Sequence, residues 1–472
     1  MNKIFKLFIN ENIKTWKRFS TKLILFFIIV ALLGTLGFVK ISENLSVDTQ
    51  EIINDNWKKD IEEQIDMHKK ELNDETISED VKKNIQETIE AKQLYLDLNI
   101  SPYSNYWKSA VITVMITNRN EKTELLELVK NGEYKDYIQM QRNEQEKLLK
   151  LGQISQEEYN DEMLLINLTE MCGIGEKYDK QYVYGGEQVI ISEIRTLQES
   201  IREGKDYTAS KVLSSEQKSK FEDEIQMNIY KLENNIQSAN YGDTNYRIIF
   251  ETLAPSAVIT MIAVAAIIIA GGAIAQEVST GTIKFWALTP NKRWKILTAK
   301  ILSVIFYIVI ITLIMSILNV VLANIFFDTQ GNQYVYMKND EVKCIENPLF
   351  MVGMYFAKSI PVIVFAFFAI MLSTITRSSS VALSLGVTTY IGNNLVMAII
   401  NQFIEKEWIR YVPFNNLNIA DKIFPNFENS MKLFGETFAT NTSLAFSLGV
   451  LAVCSILMLV TAYDSFNKRD II

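Results

Sequence analysis

The sequence predicts an all-α polytopic membrane protein, with six transmembrane helices and a large, mainly helical extracytoplasmic domain between the first and the second. Two observations give this class. The 472 residues are 48% hydrophobic and 22% charged, and the two kinds are segregated along the chain. Charges crowd between about residues 40 and 254, whereas apolar runs long enough to cross a bilayer core of about 30 Å lie on either side.

Six apolar runs account for the predicted membrane helices. Each is about 20 residues long, which suits an α-helix that crosses a bilayer. The runs are residues 23–39, 256–275, 301–327, 357–376, 381–400 and 444–463. The first is therefore predicted as transmembrane helix 1, and residues 255–472 as a five-helix transmembrane domain.

The distribution of Lys and Arg orients these helices. Six basic residues precede the first run against one acid, Glu11; they are Lys3, Lys6, Lys14, Lys17, Arg18 and Lys22. Because short cytoplasmic segments are enriched in Lys and Arg, the amino terminus is predicted to be cytoplasmic. Alternation from there puts the basic loop 276–300, Arg377 and the tail with Lys468 inside as well. Both termini are thus predicted to face the cytoplasm of a bacterial cell whose plasma membrane holds the chain.

Residues 1–22 interleave apolar and basic side chains. This pattern predicts a cytoplasmic, amphipathic helix at the membrane interface, and an irregular basic leader is the alternative. A cleaved signal peptide is a second alternative for the first 40 residues. The segment Gly37-Phe38-Val39-Lys40 lacks the small-x-small pattern of a cleavage site, which favours an uncleaved anchor.

The predicted extracytoplasmic domain, residues 40–254, begins with a helical hairpin. Two apolar stripes at helical spacing are separated by a capping-box pattern at Thr76 and Glu79. The first stripe is Ile61, Ile65, His68 and Leu72, and the second is Val81, Ile85, Ile89, Lys92 and Leu96.

Further along the domain, the pattern stays mainly helical. A second capping box runs from Ser155 to Glu158, a helix over 187–202 ends before Gly204, and an amphipathic stripe covers 221–236. Only residues 111–116 and 182–184 are strand-like. The domain carries an excess of acid, which either attracts cationic peptides or drugs or simply solvates helix faces.

The sequence shows few motifs that are typical of catalytic sites. His68 is the single histidine, with no second His or Cys at metal-ligand spacing, so no metal site is expected. No G-x-x-x-x-G-K-[ST] loop is present, and the chain itself is predicted to be neither an ATPase nor another enzyme. Cys172 and Cys344 both fall in predicted outside segments, and a disulfide between them is a hypothesis.

Three polar side chains lie in or beside the predicted spans. Lys358 is placed at an outer boundary, where its stem can extend to the interface. Asn393 and Asn394 lie well inside the fifth run. Intramembrane amides usually bond across a helix bundle, and a place on a translocation path is the alternative for this pair.

The loop 276–300, QEVSTGTIKFWALTPNKRWKILTAK, carries the most specific pattern. Its ordered residues are Glu277, Gly281, Thr282, Leu288, Pro290, Arg293, Leu297 and Lys300. This order resembles the E-x3-G-T-x5-L-x-P-x2-R-x3-L-x2-K signature that follows the second span in permease subunits of type-2 ABC exporters. The resemblance covers the topology of the whole chain, but residue by residue it covers only this loop. Its Phe285-Trp286-Ala287 stretch is more aromatic than is usual in that family.

The resemblance implies that the loop forms a short coupling helix seated on a separate ATP-binding subunit. Glu277, Gly281, Thr282, Pro290, Arg293 and Lys300 would carry this coupling. The implied partners are that subunit, a second copy or a sister permease, and the lipid bilayer, with no nucleic acid. ATP and Mg would be bound by the partner chain, with no cofactor in this one. The implied cargo is an exported antimicrobial peptide, drug or lipid-like molecule.

Two other functions fit parts of the pattern. A cell-surface receptor or secretion-accessory protein, resembling the phage-infection protein group, shares one span, a long outside domain and five further spans. An ion-coupled carrier is disfavoured, because neither paired intramembrane acids nor an inverted repeat is visible.

Overall fold

The computed structural model describes most of the chain. The described residues are 2–73, 78–117, 122–178, 186–206, 211–236, 254–283, 292–326, 333–338, 340–403, 407–424 and 442–468. The chain divides into two compact units. One, called here the membrane unit, contains Met1–Val39, Tyr246–Tyr336 and Cys344–Ile472. The other, called the helical unit, contains Lys40–Asn245 and Met337–Lys343.

The membrane unit is built from long apolar helices. Its helices in the described part are α1 Asn2–Lys17, the first part of α2 Phe19–Leu72, α10 Ala254–Ser279, α11 Arg293–Phe326, α12 Asn347–Thr376, α13 Ser379–Phe403, the short α14 Ile419–Ile423 and α15 Leu444–Lys468. Two short 3₁₀ helices, Glu407–Tyr411 and Pro413–Asn416, lie between α13 and α14.

Four helices in the described ranges are long and apolar enough to cross a membrane. They are Ala254–Ser279, Arg293–Ile325, Asn347–Thr376 and Leu444–Lys468. The pair Lys3–Lys17 and Phe19–Thr35, bent by 63°, makes a fifth if it is one span. The class of a mostly helical membrane protein is therefore confirmed. The predicted run 381–400 falls inside α13 and is helical, but α13 is not among these four.

Close packing of α10, α12 and α13 forms the centre of the membrane unit. Small residues allow it, since a Cβ on Gly386 of α13 would lie 2.7 Å from Cγ2 of Ile267 on α10. In the same interface a Cβ on Gly271 would lie 3.3 Å from the Cβ of Ala382. Ser373 of α12 accepts a hydrogen bond of 3.0 Å from the backbone N–H of Ala275. Small residues let membrane helices approach closely, and dispersion forces and hydrogen bonds between the helices then stabilise the packing.

Residues 407–424, which follow α13, are bonded to α15 within the membrane unit. Asn416 donates to the carbonyl oxygens of Arg410 and Val412 at 2.8 and 2.9 Å, and its Oδ1 accepts from Ser447 of α15 at 2.8 Å. Lys422 donates to Thr442 at 2.6 Å and to Ser447. Burial lowers the pKa of the Lys422 ammonium, which Asp421 partly offsets. The side chain thus holds the segment through neutral hydroxyls.

The helical unit contains the rest of α2 and seven further helices in its described part. They are α3 Glu79–Asp97, α4 Trp107–Thr117, α5 Lys122–Asn131, α6 Tyr134–Lys150, α7 Gln156–Cys172, α8 Glu187–Glu203 and α9 Ser215–Glu233. Strands β1 Lys205–Asp206 and β2 Lys211–Val212 pair antiparallel. A second two-stranded sheet pairs β3 Gln333–Lys338 with β4 Glu341–Glu346. Neither sheet was predicted.

The predicted hairpin of the helical unit is confirmed. Ile61 and Ile65 of α2 and Ile89 of α3 are buried in one apolar cluster. Lys92 Nζ bridges the two helices by donating to Gln64 Oε1 at 2.8 Å. The predicted start of α3 is wrong in detail, because Ser78, without a side-chain cap bond, occupies the N-cap. Thr76 lies outside the described residues.

Other helix predictions in this unit are mostly confirmed. The capping box at Ser155 and Glu158 is formed, and α8 ends at Gly204, whose positive φ of 66° suits glycine. The stripe predicted over 221–236 belongs to α9 up to Leu232, whereas Ile236 lies beyond the end of the helix at Glu233. Residues 111–116, predicted as a strand, lie in α4, because burial of Val111, Ile112 and Met115 at helical spacing outweighs their strand propensity. Residues 182–184 lie outside the described part.

The contact at Gly386 gives opposite expectations for two glycines of α13. Gly392 has open space around its Cβ position. Gly386→Ala is expected to lower the thermal unfolding temperature of the purified protein, because the new methyl collides with Ile267. Gly392→Ala is expected to leave it unchanged or raise it by about 2 °C, since alanine favours a helix over glycine. Equal stability of the two variants in a detergent melt would contradict the close approach.

Candidate functional site

The candidate site is the connection between α10 and α11, which the sequence singled out. Gly281, at φ +70°, follows the end of α10, and its N–H donates to the carbonyl of Val278 at 3.1 Å. Thr280 closes the same helix end through its N–H and hydroxyl, both bonded to the Gln276 carbonyl at 3.0 and 2.8 Å. A left-handed glycine here stops the helix and turns the chain. The predicted tight turn at Gly281 is confirmed.

Thr282 points back toward α10. Its hydroxyl donates to the carbonyl of Glu277 at 3.3 Å and contacts the Thr280 hydroxyl at 3.0 Å. Residues 284–291, which include Pro290 and most of the predicted coupling helix, lie outside the described part of the chain. The prediction that Thr282 caps that helix and Pro290 ends it stays a prediction.

Glu277 and Lys300, 23 positions apart, meet at the base of this connection. Glu277 Oε1 accepts a hydrogen bond of 2.6 Å from Lys300 Nζ. The side chains are only 4% and 2% exposed, so both charges are removed from solvent. A buried charge needs a close partner of opposite sign, because the protein interior solvates it poorly. The pair therefore ties the end of α10 to the first two turns of α11.

Two residues of α1 complete the site. Lys14 Nζ donates to the same Glu277 Oε1 at 2.5 Å, and Lys300 Nζ donates to Glu11 Oε2 at 2.9 Å. The four side chains form an alternating row, Lys14, Glu277, Lys300 and Glu11, with no net charge, called here the charge row. Its members come from three helices. Its outer members are more exposed than its centre, with Lys14 at 45% and Glu11 at 22%.

Sequence reasoning missed Glu11 and Lys14 as site residues. The sequence analysis used both residues only to orient the amino terminus. Lys14 was counted among its basic residues, and Glu11 was counted as its one acid. One local signal was available, because positions 11 and 14 lie on one face of a helix, one turn apart. Their partners are more than 260 positions away, and no local pattern reports such a pairing.

Arg293 links α11 to the last helix. Its guanidinium donates to the backbone carbonyl of Asn467 at 3.3 Å. One turn further along α11, the Thr298 hydroxyl lies 2.7 Å from the Tyr463 hydroxyl of α15. Lys295 lies over the ring of Trp294, 5.5 Å from its centroid. The start of α11 is therefore bonded to α10, α1 and α15.

The other predicted polar residues lie apart from the charge row along the chain. Asn393 is buried, and its amide donates to the Tyr390 carbonyl of its own helix, whereas the structural interpretation from the sequence was a bond across the helix bundle. The side chain of Asn394 is outside the described part. Lys358 donates to the Ser256 hydroxyl of α10 at 3.0 Å.

His68 and the cysteines show no sign of a metal or disulfide role. His68 Nδ1 lies 2.9 Å from Glu71 Oε2, and its Nε2 lies 3.2 Å from Lys92 Nζ. Within the described ranges no three or more His, Cys, Asp or Glu side chains gather as metal ligands would. Cys172 carries a thiol, and burial raises its pKa to about 11. The structure thus gives the disulfide hypothesis no support.

Comparison with known proteins places the membrane unit in a family. A family model described as a protein of unknown function, DUF2705, matches residues 224–472, more than half of the chain. The chain belongs to the DUF2705 family. The matched part includes α10 to α15, and thus Glu277 and Lys300, whereas Glu11 and Lys14 precede it.

Two relatives from Bacillus subtilis (strain 168) are similar to this DUF2705 chain. The uncharacterized protein YhcI is 29% identical over 258 residues, which cover 53% of this chain and 76% of YhcI. The uncharacterized membrane protein YdbK is 26% identical over 207 residues, which cover 43% of this chain and 76% of YdbK. Together with its long apolar helices, the likeness to YdbK indicates a membrane-inserted protein.

Removal of one charge tests the charge row. Lys300→Met is expected to destabilise the protein by about 3 kcal/mol or more, because Glu277 stays buried with a single cation. Glu277→Gln combined with Lys300→Met is expected to recover part of this loss, since no buried anion remains there. Lys468→Met is the matched control, because its ion pair with Asp464 is solvent-exposed and contributes about 0–1 kcal/mol. A melt in which Lys300→Met behaves like Lys468→Met would contradict the buried pairing.

Proposed function

We propose that this chain is the membrane permease subunit of an ATP-driven ABC exporter. The observation that carries the proposal is the Glu277–Lys300 ion pair at the base of the 280–292 connection. This pair joins two membrane helices where the signature of type-2 exporter permeases falls in the sequence. An ATP-binding subunit that binds this connection would act on a segment whose ends are fixed to each other and to α1 by ion pairs.

In this proposal, Glu277 and Lys300 act inside the molecule. Their burial keeps them from direct contact with a partner, so they hold the connection in place and transmit its displacement to α10, α11 and α1. Partner contact falls to the residues between them, Gly281 through Lys292 and including Pro290. Such a displacement is a rigid-body movement of packed helices, a common form of switching.

The proposal also includes the topology. Six spans, α13 among them, place the 280–292 connection and both termini on the cytoplasmic side, and the helical unit outside. The basic residues near the connection support this orientation, since Lys and Arg resist translocation. Two copies, or one copy with a sister permease, would flank the path for an exported peptide, drug or lipid-like molecule.

Labelling on intact cells tests the topology. Cysteine is placed at Thr289 or at Gln153, an exposed residue after α6, with the native cysteines replaced by serine or alanine. A membrane-impermeant maleimide is expected to label position 153 at once and position 289 only after the membrane is permeabilised. Labelling of 289 from the medium, with 153 protected, would overturn the topology and the exporter proposal together.

Purification from native membranes tests the partner. The tagged protein, extracted in mild detergent, is expected to bring down a chain with an ATP-binding P-loop and to show ATPase activity. Gly281→Pro is expected to reduce its recovery at least fivefold, because proline cannot adopt φ +70°. Lys292→Glu, a charge reversal at an exposed position of the connection, is expected to act in the same direction.

Lys468→Glu is the matched control, since it reverses an exposed charge at the end of α15 and is expected to leave recovery unchanged. Size-exclusion profiles establish that each variant is folded. Retention of the partner by both folded connection variants would contradict the coupling assignment. A wild-type preparation without an ATP-binding chain would favour the receptor or secretion-accessory alternative.

A further inference from the structure

Helix α1 crosses α11 at a defined place. The rings of Phe8 and Phe306 pack edge to face at 5.5 Å, and those of Trp16 and Tyr307 lie 5.5 Å apart. Near the same crossing, Lys300 is bonded to Glu11. These contacts set α1 against α11 between residues 300 and 307.

Polar side chains lie within this crossing. Asn12 is one helical turn from both Phe8 and Trp16, so it shares the face of α1 that packs on α11. Ser303 is one turn before Tyr307 on α11 and three residues before Phe306, so it shares the opposing face. Asn12, Ser303 and Tyr307 are 9%, 4% and 0% exposed.

These three side chains present polar atoms that lack a partner in the described part of the chain. The atoms are Asn12 Oδ1, Ser303 Oγ and Tyr307 OH. The Asn12 amide nitrogen, in contrast, donates to the Phe8 carbonyl at 3.0 Å. Leaving a buried polar group unsatisfied costs about 1–3 kcal/mol, so three in one crossing demand an explanation.

Two other hydroxyls of α11 donate to carbonyl oxygens of their own helix, and Ser303 could form the same kind of bond. Thr298 donates to the carbonyl of Trp294 at 2.7 Å, and Ser316 donates to that of Leu313 at 3.0 Å. Ser303 makes no such bond to its own helix. The Tyr307 hydroxyl cannot form such a bond within its own helix, because the ring holds it too far from the backbone. Both hydroxyls are thus available to a third molecule in the crossing.

We propose that the crossing of α1 over α11 is a binding site for water, formed by Asn12 Oδ1, Ser303 Oγ and Tyr307 OH. The groups supply one acceptor and two hydroxyls, each able to donate or accept, which suits buried waters that make about three hydrogen bonds. Water-mediated bonds exchange more readily than interlocked apolar side chains. This crossing is then a hydrated joint at which α1 can shift against α11, beside the charge row.

The sign of a stability change tests this site, and it does so whether or not the exporter proposal holds. Ser303→Ala and Tyr307→Phe each remove one hydroxyl and leave the shape nearly intact. If the hydroxyls bind water, each variant lowers the melting temperature of the purified protein by about 2 °C or more. If they are dry and unsatisfied, their removal raises that temperature or leaves it unchanged, which would overturn the proposal.

The double variant tests whether the two hydroxyls share water. Ser303→Ala with Tyr307→Phe is expected to lose less than the sum of the single changes, as coupled partners of one water do. Strict additivity would overturn a shared site. Tyr463→Phe is the reference for a directly bonded hydroxyl, because its partner Thr298 lies 2.7 Å away, and its loss is expected in every medium.

The measurement in two media separates water from a lipid hydroxyl as the occupant. The same losses are expected in lipid-depleted detergent and in phosphatidylcholine vesicles, since water is present in both. Losses confined to the vesicles would assign the site to a lipid headgroup and overturn its assignment to water. For Ser303→Cys, with the other cysteines replaced, reaction with a small hydrophilic thiol reagent is expected to be at least tenfold faster than for Val304→Cys, a buried apolar neighbour. Equal rates would count against hydration.

Discussion

The ion pair between Glu277 and Lys300 is the constraint on which the rest of the membrane unit depends. An α-helix end that carries a buried carboxylate is stable only beside a cation, so α10 and α11 must be in register at this level. The turn at Gly281 makes this possible, because α10 ends at Ser279, two residues after Glu277. Close packing of α10 on α12 and α13 then follows from a helix whose position is already set.

The charge row also gives α1 polar contacts within the protein. An amphipathic helix on a membrane surface is ordinarily held by lipid, and its polar face contacts water. Here part of the polar face is used within the protein, because Glu11 and Lys14 bond to Lys300 and Glu277. The apolar side chains of Phe5, Ile9 and Ile13 remain exposed. The helix thus keeps an exposed apolar surface and is also bonded to both ends of the connection.

Local physics made part of this structure predictable from the sequence. Apolar runs gave four of the predicted spans, the capping box at Ser155 gave the start of α7, and glycine at 281 gave the turn. The strand predicted for residues 111–116 was wrong, because tertiary burial outweighs the strand propensity of β-branched residues. The short sheet of β3 and β4 was missed inside a region interpreted only by its charge.

Long-range pairing limited the prediction of the site. The signature picked out Glu277 and Lys300 but assigned them to a partner surface, and nothing local indicated that they face each other. Glu11 was counted as an exception among cations, although an isolated acid in a basic leader is a sign of a specific cationic partner. A lone charge that breaks a local trend therefore carries more information than the charges that follow it.

The two kinds of contact between α1 and α11 have different mechanical consequences. Glu11 and Lys14 each pair with a charge that is itself buried, so the charge row resists separation of α1 from the helix ends. The ring contacts of Phe306 and Tyr307, and the water-mediated bonds proposed for Ser303 and Tyr307, resist sliding much less, because rings slip and such bonds re-form with small changes in geometry. A helix that is held firmly along one face, here at Glu11 and Lys14, and less firmly along another, here at Phe8 and Trp16, rotates about the firmly held face. Displacement of the 280–292 connection, whatever drives it, would therefore tilt α1 about the charge row and leave the ion pairs intact.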